Sequence, residues 1–157
     1  TLSSHRGCVT WLTATMPSGT YASLPHSYIV EGVYKITISD MVGHPGGVAA
    51  MGEIRILNGQ VISITIPDNA WLRNITLSGN PIVTFSIPAT QTGLMHLDLS
   101  GCNLVVDSTN GVLITINGFG TSNGYINLSG GTNAPPTGAG LTAKAALIAR
   151  GWTVITN

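Results

Sequence analysis

The sequence predicts a mainly β fold: a short solenoid of about six parallel rungs, closed at its C-terminal end by a helix and a strand. Three observations predict it. The phrase Leu94-Met-His-Leu97-Asp-Leu99-Ser-Gly-Cys102-Asn-Leu104 repeats the spacing of Leu72-Arg-Asn-Ile75-Thr-Leu77-Ser-Gly-Asn80-Pro-Ile82, so both read L-x-x-L-x-L-x-x-N/C-x-L. Such a pattern sets apolar side chains at the inward positions of a short strand and an Asn or Cys where the chain turns off it. Pairs of apolar residues separated by one position recur along the chain, and only 8% of residues are charged. The bias toward Gly, Thr, Ser, Asn and Ile suits stacked β structure with small-residue turns.

Residues 1–32 carry no such pair. They hold Trp11, Tyr21 and Tyr28 with turn formers at Pro17-Ser-Gly19 and Pro25, and are read as an N-terminal cap, a pairing arm toward a neighbouring subunit, or a junction with an upstream domain. The solenoid spans 33–157. Its pairs are Ile36/Ile38, Ile54/Ile56, Ile75/Leu77, Leu97/Leu99, Ile126/Leu128 and Trp152/Val154, with first members 18, 21, 22, 29 and 26 residues apart. An apolar residue stands three before the pair at Val33, Met51, Leu72 and Leu94, and Asn123 interrupts this rule in the fifth coil.

Between rungs, Val61-Ile-Ser-Ile-Thr-Ile66-Pro67 and Ile82-Val-Thr-Phe-Ser-Ile87-Pro88 lie in register 21 residues apart. Each alternates with period 2 and ends at a Pro that cannot extend a ladder, which predicts back-wall strands. In the coil from Cys102 to Ile126, the β-branched content of Gly111-Val-Leu-Ile-Thr-Ile-Asn-Gly118 favours an extended segment. One helix is predicted within 137–151, with Leu141, Ala145 and Ile148 as its apolar stripe and Gly151 as its stop. It leads into Trp152-Thr-Val154, so 137–157 reads as the C-terminal cap of an otherwise open stack.

The 157 residues make one domain. Net charge is zero and the six Lys and Arg are scattered, which leaves no basic stripe for nucleic acid. No apolar run approaches the length of a membrane span, and the charged start of a signal peptide is absent. Because the chain begins at Thr1, it is read as a processed product or as the ordered part of a longer polypeptide. Cys8 and Cys102 are read as unpaired buried thiols. His5, His26, His44 and His96 show no ligand spacing, so neither metal nor cofactor is expected, and His44-Pro-Gly-Gly47 reads as a turn. The glycosylation-type triplets Asn74-Ile-Thr and Asn127-Leu-Ser are short enough to arise by chance and are given no weight.

Side chains flanking each inward pair point off the opposite face of the strand, and equivalent positions stack into ladders about 4.8 Å apart. One ladder is Lys35, Glu53, Asn74, His96, Tyr125; the other is Thr37, Arg55, Thr76, Asp98, Asn127. These ten residues are the candidate ligand-binding set, a mixed and mostly neutral polar face suited to hydrogen-bonding a glycan or a flat protein surface. No catalytic residues are assigned. A glycan hydrolase needs two carboxylates converging in a cleft. Of Glu31, Asp40, Glu53, Asp68, Asp98 and Asp107, only Glu53 and Asp98 fall on the ladders, two rungs apart. A polysaccharide-degrading enzyme is therefore the weakest reading.

The repeated motif over about Val33 to Asn157 resembles leucine-rich repeat proteins. The ending, from Ile126-Asn-Leu-Ser-Gly-Gly-Thr-Asn-Ala-Pro-Pro to Gly-Leu141-Thr-Ala-Lys-Ala-Ala-Leu-Ile-Ala-Arg-Gly-Trp152-Thr-Val, resembles the C-terminal segment of repeat proteins of bacteria and their phages. In phages such repeats occur in virion and tail-fibre-like proteins. The resemblance implies a non-enzymatic module on the virion surface, of fibre or capsid-decoration type, binding a host-surface glycan or a neighbouring virion protein. The alternative is a secreted or cell-surface adhesion module. Either way the location is virion surface or extracellular, and the unplaced aromatics of 1–32 point to a homo-oligomer.

Overall fold

Period-2 alternation of aliphatic and polar residues yields eight short strands among the described residues, and every pairing between them is parallel. The computed structural model describes residues 11–13, 34–37, 53–66 and 72–157. The strands are β1 (Trp11–Thr13), β2 (Tyr34–Thr37), β3 (Glu53–Arg55), β4 (Val61–Thr65), β5 (Asn74–Thr76), β6 (His96–Asp98), β7 (Tyr125–Leu128) and β8 (Thr153–Thr156). Two helices complete the order: α1 (Val106–Gly118) between β6 and β7, and α2 (Gly138–Ala149) between β7 and β8. One sheet has the order β3-β5-β6-β7-β8, and a smaller one has the order β1-β2-β4.

The larger sheet carries the expected aliphatic row. Ile54, Ile75, Leu97, Ile126 and Val154 lie in register across five strands. Ile75, Leu97 and Ile126 are fully buried, as are Leu77, Leu99 and Leu128 two residues on. Burying such side chains contributes about 1.5–3 kcal/mol each. Helical residues Val112, Leu113, Ile116, Ala143 and Leu147 join the same core cluster. With two helices packed against a parallel sheet the chain is α/β, which corrects the expectation of a mainly β fold.

The added helix is α1, where an extended segment was expected. Its buried residues, Ser108, Thr109, Val112, Leu113 and Ile116, recur with the 3.6-residue period of one helix face. That face outweighs the modest helix penalty of its β-branched residues. Asp107 sits in the first turn, where a carboxylate suits the helix dipole. At the other end Arg150 donates to the carbonyl and side-chain oxygens of Asn117 at 3.0 and 2.8 Å, capping the last turn from outside. Ser108 leaves the helix to clasp Phe85, accepting from its N–H at 2.7 Å and donating to its carbonyl at 3.0 Å.

The same clasp bears on a second correction. Residues 82–87 repeat the burial pattern of 61–66 but form no strand. Their main chain is partnered by Ser108 and by the amides of Asn103 and Val105, while β4 takes β2 as its neighbour. A third correction concerns β2. It pairs with β1 and β4 rather than β3, so Ile36 stands opposite Ile64, and Lys35 and Thr37 leave the ladders. An alternating strand reads alike whether it belongs to the larger or the smaller sheet, and the pair rule has no means to separate them. Ile38 and the turn features of the first 52 residues lie outside the described residues.

The last rung is offset by two. Val154, not Trp152, pairs with Ile126. Both have the same parity, so alternation admits either. Trp152 is buried at the corner, its ring occupying the space a side chain at Gly124 would need and its Nε1–H donating to the Thr121 carbonyl at 2.9 Å. The α2 helix lies where expected, but its buried face is Gly140, Ala143 and Leu147. Leu141, Ala145 and Ile148, the expected inward stripe, are exposed. Gly140 lies against Asn110 of α1, where a side chain would collide. Close helix contact at this glycine turns the stripe outward.

Turns are closed by two columns. Asn58, Gly79, Gly101 and Gly130 adopt left-handed backbone with φ of 49, 70, 67 and 74. The N–H groups of Asn58, Gly79 and Gly101 donate to the carbonyls of Ser78, Ser100 and Ser129 on the following rung. Beside them runs a column of Asn80, Cys102 and Asn133. Asn80 donates to the carbonyls of Leu77 and, one rung back, Ile56, both at 2.9 Å, and accepts from Val61 N–H at 3.2 Å. Asn133 repeats this with Leu128 at 3.1 Å, Leu99 at 2.9 Å and Leu104 N–H at 2.8 Å. Cys102 offers only a thiol, 3.5 Å from the Leu77 carbonyl. In the left-handed column, Gly130 N–H instead donates to a side chain, the Asn157 Oδ1, at 2.7 Å.

Asn133→Ala leaves one N–H and two carbonyls without partners in the core, and chemical denaturation is expected to show a loss of about 3 kcal/mol, against about 1 kcal/mol for Asn157→Ala, whose bond is exposed. Burial, the largest influence, holds the Cys102 thiol above its ordinary 9.0. The folded chain therefore retains a proton that the unfolded chain releases above pH 9.0. The Cys102 contribution to stability is complete below that pH and declines above it, and comparing denaturation of the parent and Cys102→Ala from pH 7 to 10.5 should isolate that decline.

Candidate functional site

The larger sheet assembles eight of the ten candidate residues. Glu53, Asn74, His96 and Tyr125 lie in register on β3, β5, β6 and β7, followed by Thr153 on β8. Arg55, Thr76, Asp98 and Asn127 form the second row, followed by Ile155. Lys35 and Thr37 stand on the smaller sheet and take no part. The offset of the last rung hid Thr153 and Ile155; matching Thr153 to Tyr125 by the residue before the aliphatic position would have found both.

Exposure grades along the face. Glu53 and Arg55 are exposed; Asn74, His96, Asp98, Tyr125 and Asn127 are half-buried; Thr76 is buried. Parallel neighbours in register bring planar side chains together, and the rings of His96 and Tyr125 stack with centroids 4.8 Å apart and planes 13° from parallel. The stack covers one face of each ring and leaves the ring edges, with the imidazole nitrogens and the phenol, among the groups a ligand can meet.

In the second row, Asp98 and Asn127 each commit one oxygen to the turn that follows. Asp98 Oδ1 accepts from Ser100 N–H at 2.9 Å. Asn127 Oδ1 accepts from the Ser129 N–H at 3.1 Å and its hydroxyl at 2.8 Å. These local bonds are the Asx type that fixes a short polar side chain against its own backbone. They hold both residues in one conformation and leave Asp98 its second oxygen and Asn127 its NH2 for an incoming group.

Glu53 and Asp98 lie two strands apart, about 10 Å at the usual strand spacing, on either side of Thr76. A depression of about 610 Å³ lies elsewhere, lined by Ser63, Thr65, Thr84, Phe85, Asp107 and Ser108 among others, and includes no ladder residue. Among the described residues no three His, Cys, Asp or Glu side chains come together, and no helix is long and apolar enough to cross a membrane. Cys102 is buried and unpaired, and Cys8 lies outside the described residues. Comparisons with models of protein families, with curated proteins and with solved structures gave no match.

The ring stack should register as an energetic coupling. In a double-mutant cycle of His96→Ala and Tyr125→Ala read by urea denaturation, the two losses are expected to be non-additive by about 0.5–1 kcal/mol, the value of a stacked ring pair beyond its buried area.

Proposed function

We propose that the chain is a leucine-rich-repeat solenoid serving as a non-enzymatic recognition module on the virion surface of a bacterial virus, and that it binds a glycan of the host surface along the face from Asn74 to Asn127. The observation that carries this reading is the in-register polar face itself: Asn74, His96 and Tyr125 in one row, Thr76, Asp98 and Asn127 in the next. Amide, imidazole, phenol, hydroxyl and carboxylate groups at regular spacing match the alternating donors and acceptors of sugar hydroxyls. Side chains already fixed by stacking and by turn hydrogen bonds lose little freedom on binding, which favours affinity without a deep cleft. The neutral chain, with 8% charged residues, suits a hydroxylated ligand better than an ionic polymer. Placement on a virion rests on the resemblance of the segment from Ile126 to Val154 to phage and bacterial repeat proteins.

The test is binding of the full chain to an array of bacterial surface polysaccharides, including lipopolysaccharide O-chains and peptidoglycan fragments. At least one glycan should bind, with affinity falling about ten-fold, or ~1.4 kcal/mol, in Tyr125→Ala and in Asn127→Ala. Thr84→Ala, away from the face, should bind as the parent does. No binding across the array, or binding indifferent to Tyr125 and Asn127, would exclude this surface as a glycan site. Capsid or tail genes beside the coding gene would support the virion assignment, and secretion or sorting genes there would oppose it.

A further inference from the structure

Four dipeptides of the chain read Asn-Gly: Asn58-Gly59, Asn110-Gly111, Asn117-Gly118 and Asn123-Gly124. The pair carries a reaction of its own, because a glycine sets no side chain in the way of its main-chain nitrogen, which can close a five-membered ring on the preceding side-chain amide. The fold divides the four pairs into two kinds. In α1 both reacting groups of each pair are tied. The N–H groups of Gly111 and Gly118 are given to carbonyls four residues back in the helix. Asn110 Oδ1 accepts from Thr137 N–H at 2.9 Å while its Nδ2 donates to Thr137 Oγ1 at 3.2 Å, and Asn117 Oδ1 accepts from the Arg150 guanidinium at 2.8 Å. Both asparagines are half-buried.

Asn58 and Asn123 are the reverse. Each lies outside helix and strand, is exposed, and stands in left-handed backbone, with φ of 49 and 62. Among the described residues, neither their side-chain amides nor the N–H groups of Gly59 and Gly124 have a hydrogen-bond partner. The N–H groups of the asparagines themselves are held by the Ser78 and Arg150 carbonyls at 2.9 and 3.2 Å, so each turn is fixed while its reacting groups are free.

We propose that Asn58 and Asn123 are sites of spontaneous covalent modification, converting to aspartate and isoaspartate in the folded chain while Asn110 and Asn117 stay intact. The main-chain nitrogen of Gly59 or Gly124 gives up its proton and attacks the side-chain carbonyl carbon of the asparagine. The bond from that carbon to Nδ2 breaks, and ammonia leaves with the proton, giving a cyclic imide. Water then opens the ring. Attack at the side-chain carbonyl restores the ordinary main chain as aspartate, and attack at the main-chain carbonyl gives isoaspartate, whose main chain runs through the former side chain. No oxidation or reduction is involved. Left-handed backbone is strained for an L residue, so the rotation that closes the ring starts from a raised ground state in the two turns. In α1 the helix and the side-chain bonds must open first. Each conversion adds one negative charge to a chain whose formal net charge is zero. The reaction is independent of the glycan reading, since neither asparagine belongs to the ladder rows.

Timed peptide mapping by mass spectrometry tests it on the full chain, held folded at pH 8 and, in parallel, unfolded in urea. In the folded chain Asn58 and Asn123 should convert about ten-fold faster than Asn110 and Asn117, or more. In urea, where all four share the same glycine neighbour and no fold, the rates should draw together to within about three-fold. Asn58→Gly with Asn123→Gly, which suits the left-handed backbone, should abolish the acidic species that isoelectric focusing resolves in the aged parent and leave the circular dichroism unchanged. A folded chain in which either turn reacts no faster than the helical pair would overturn the proposal. So would a contrast that persists in urea, which would place its cause in local sequence and not in the fold.

Discussion

The parallel sheet depends on side-chain amides buried where two of its strands turn away, after β5 and after β7. Asn80 and Asn133, 1% and 3% exposed, each satisfy a carbonyl of their own rung, a carbonyl of the rung before and an N–H of the outgoing chain. Without these bonds, main-chain groups would be desolvated with no partner, at about 1–3 kcal/mol apiece. An amide can donate twice and accept at the same site, which neither a hydroxyl nor a thiol can do. At Cys102 the weaker donor suffices because adjacent main chain is held otherwise, Asn103 N–H by the Ile82 carbonyl and Leu104 N–H by Asn133. Each amide thus ties one rung to the last, and register follows from that tie.

Register in turn determines the surface. A slip of one residue would send Ile75, Leu97 and Ile126 to solvent and bring Asn74, His96 and Tyr125 inside. With strands of only three or four residues, the ladder alone is a thin constraint. The turn columns supply the rest: left-handed residues at Asn58, Gly79, Gly101 and Gly130, and the buried amides beside them. Polar rows of uniform spacing on one face are therefore a consequence of how the turns are satisfied. The His96–Tyr125 stack exists because the two rungs meet at the same height.

Most of this arrangement is legible in residues 53–128 from the spacing of the aliphatic pairs, with Asn80 and Cys102 marked as turn residues by the two full copies of L-x-x-L-x-L-x-x-N/C-x-L. Eight of ten ladder residues follow from it directly. Legibility fails where a local pattern has two solutions. Tyr34–Thr37 alternates as well as any strand of the larger sheet, yet pairs with Trp11–Thr13 and Val61–Thr65. Trp152 and Val154 share parity, and only the packing of the indole over Gly124 decides between them. Asn133 is the turn amide of the fifth rung, but five residues separate it from Leu128 where three separate Asn80 from Leu77, so the motif spacing conceals it. In 106–118 a β-branched run hides a helix whose 3.6-residue burial period appears only against the finished core. The apolar stripe of 138–149 shows the opposite failure: the helix is clear, but close contact at Gly140 decides which side of it is buried.

Hydrogen exchange at two backbone amides distinguishes a stack held by its asparagines from one held by its aliphatic rows alone. The N–H groups of Val61 and Leu104 donate to the side-chain oxygens of Asn80 and Asn133. If these amides secure the rungs, Leu104 N–H exchanges as slowly as Leu97 and Ile126 in the sheet, by the same global unfolding, and Val61 N–H is strongly protected with it. Exchange of both at the rates of open loops, with the sheet still protected, would show that the turns open freely and that the asparagine column does not hold the stack.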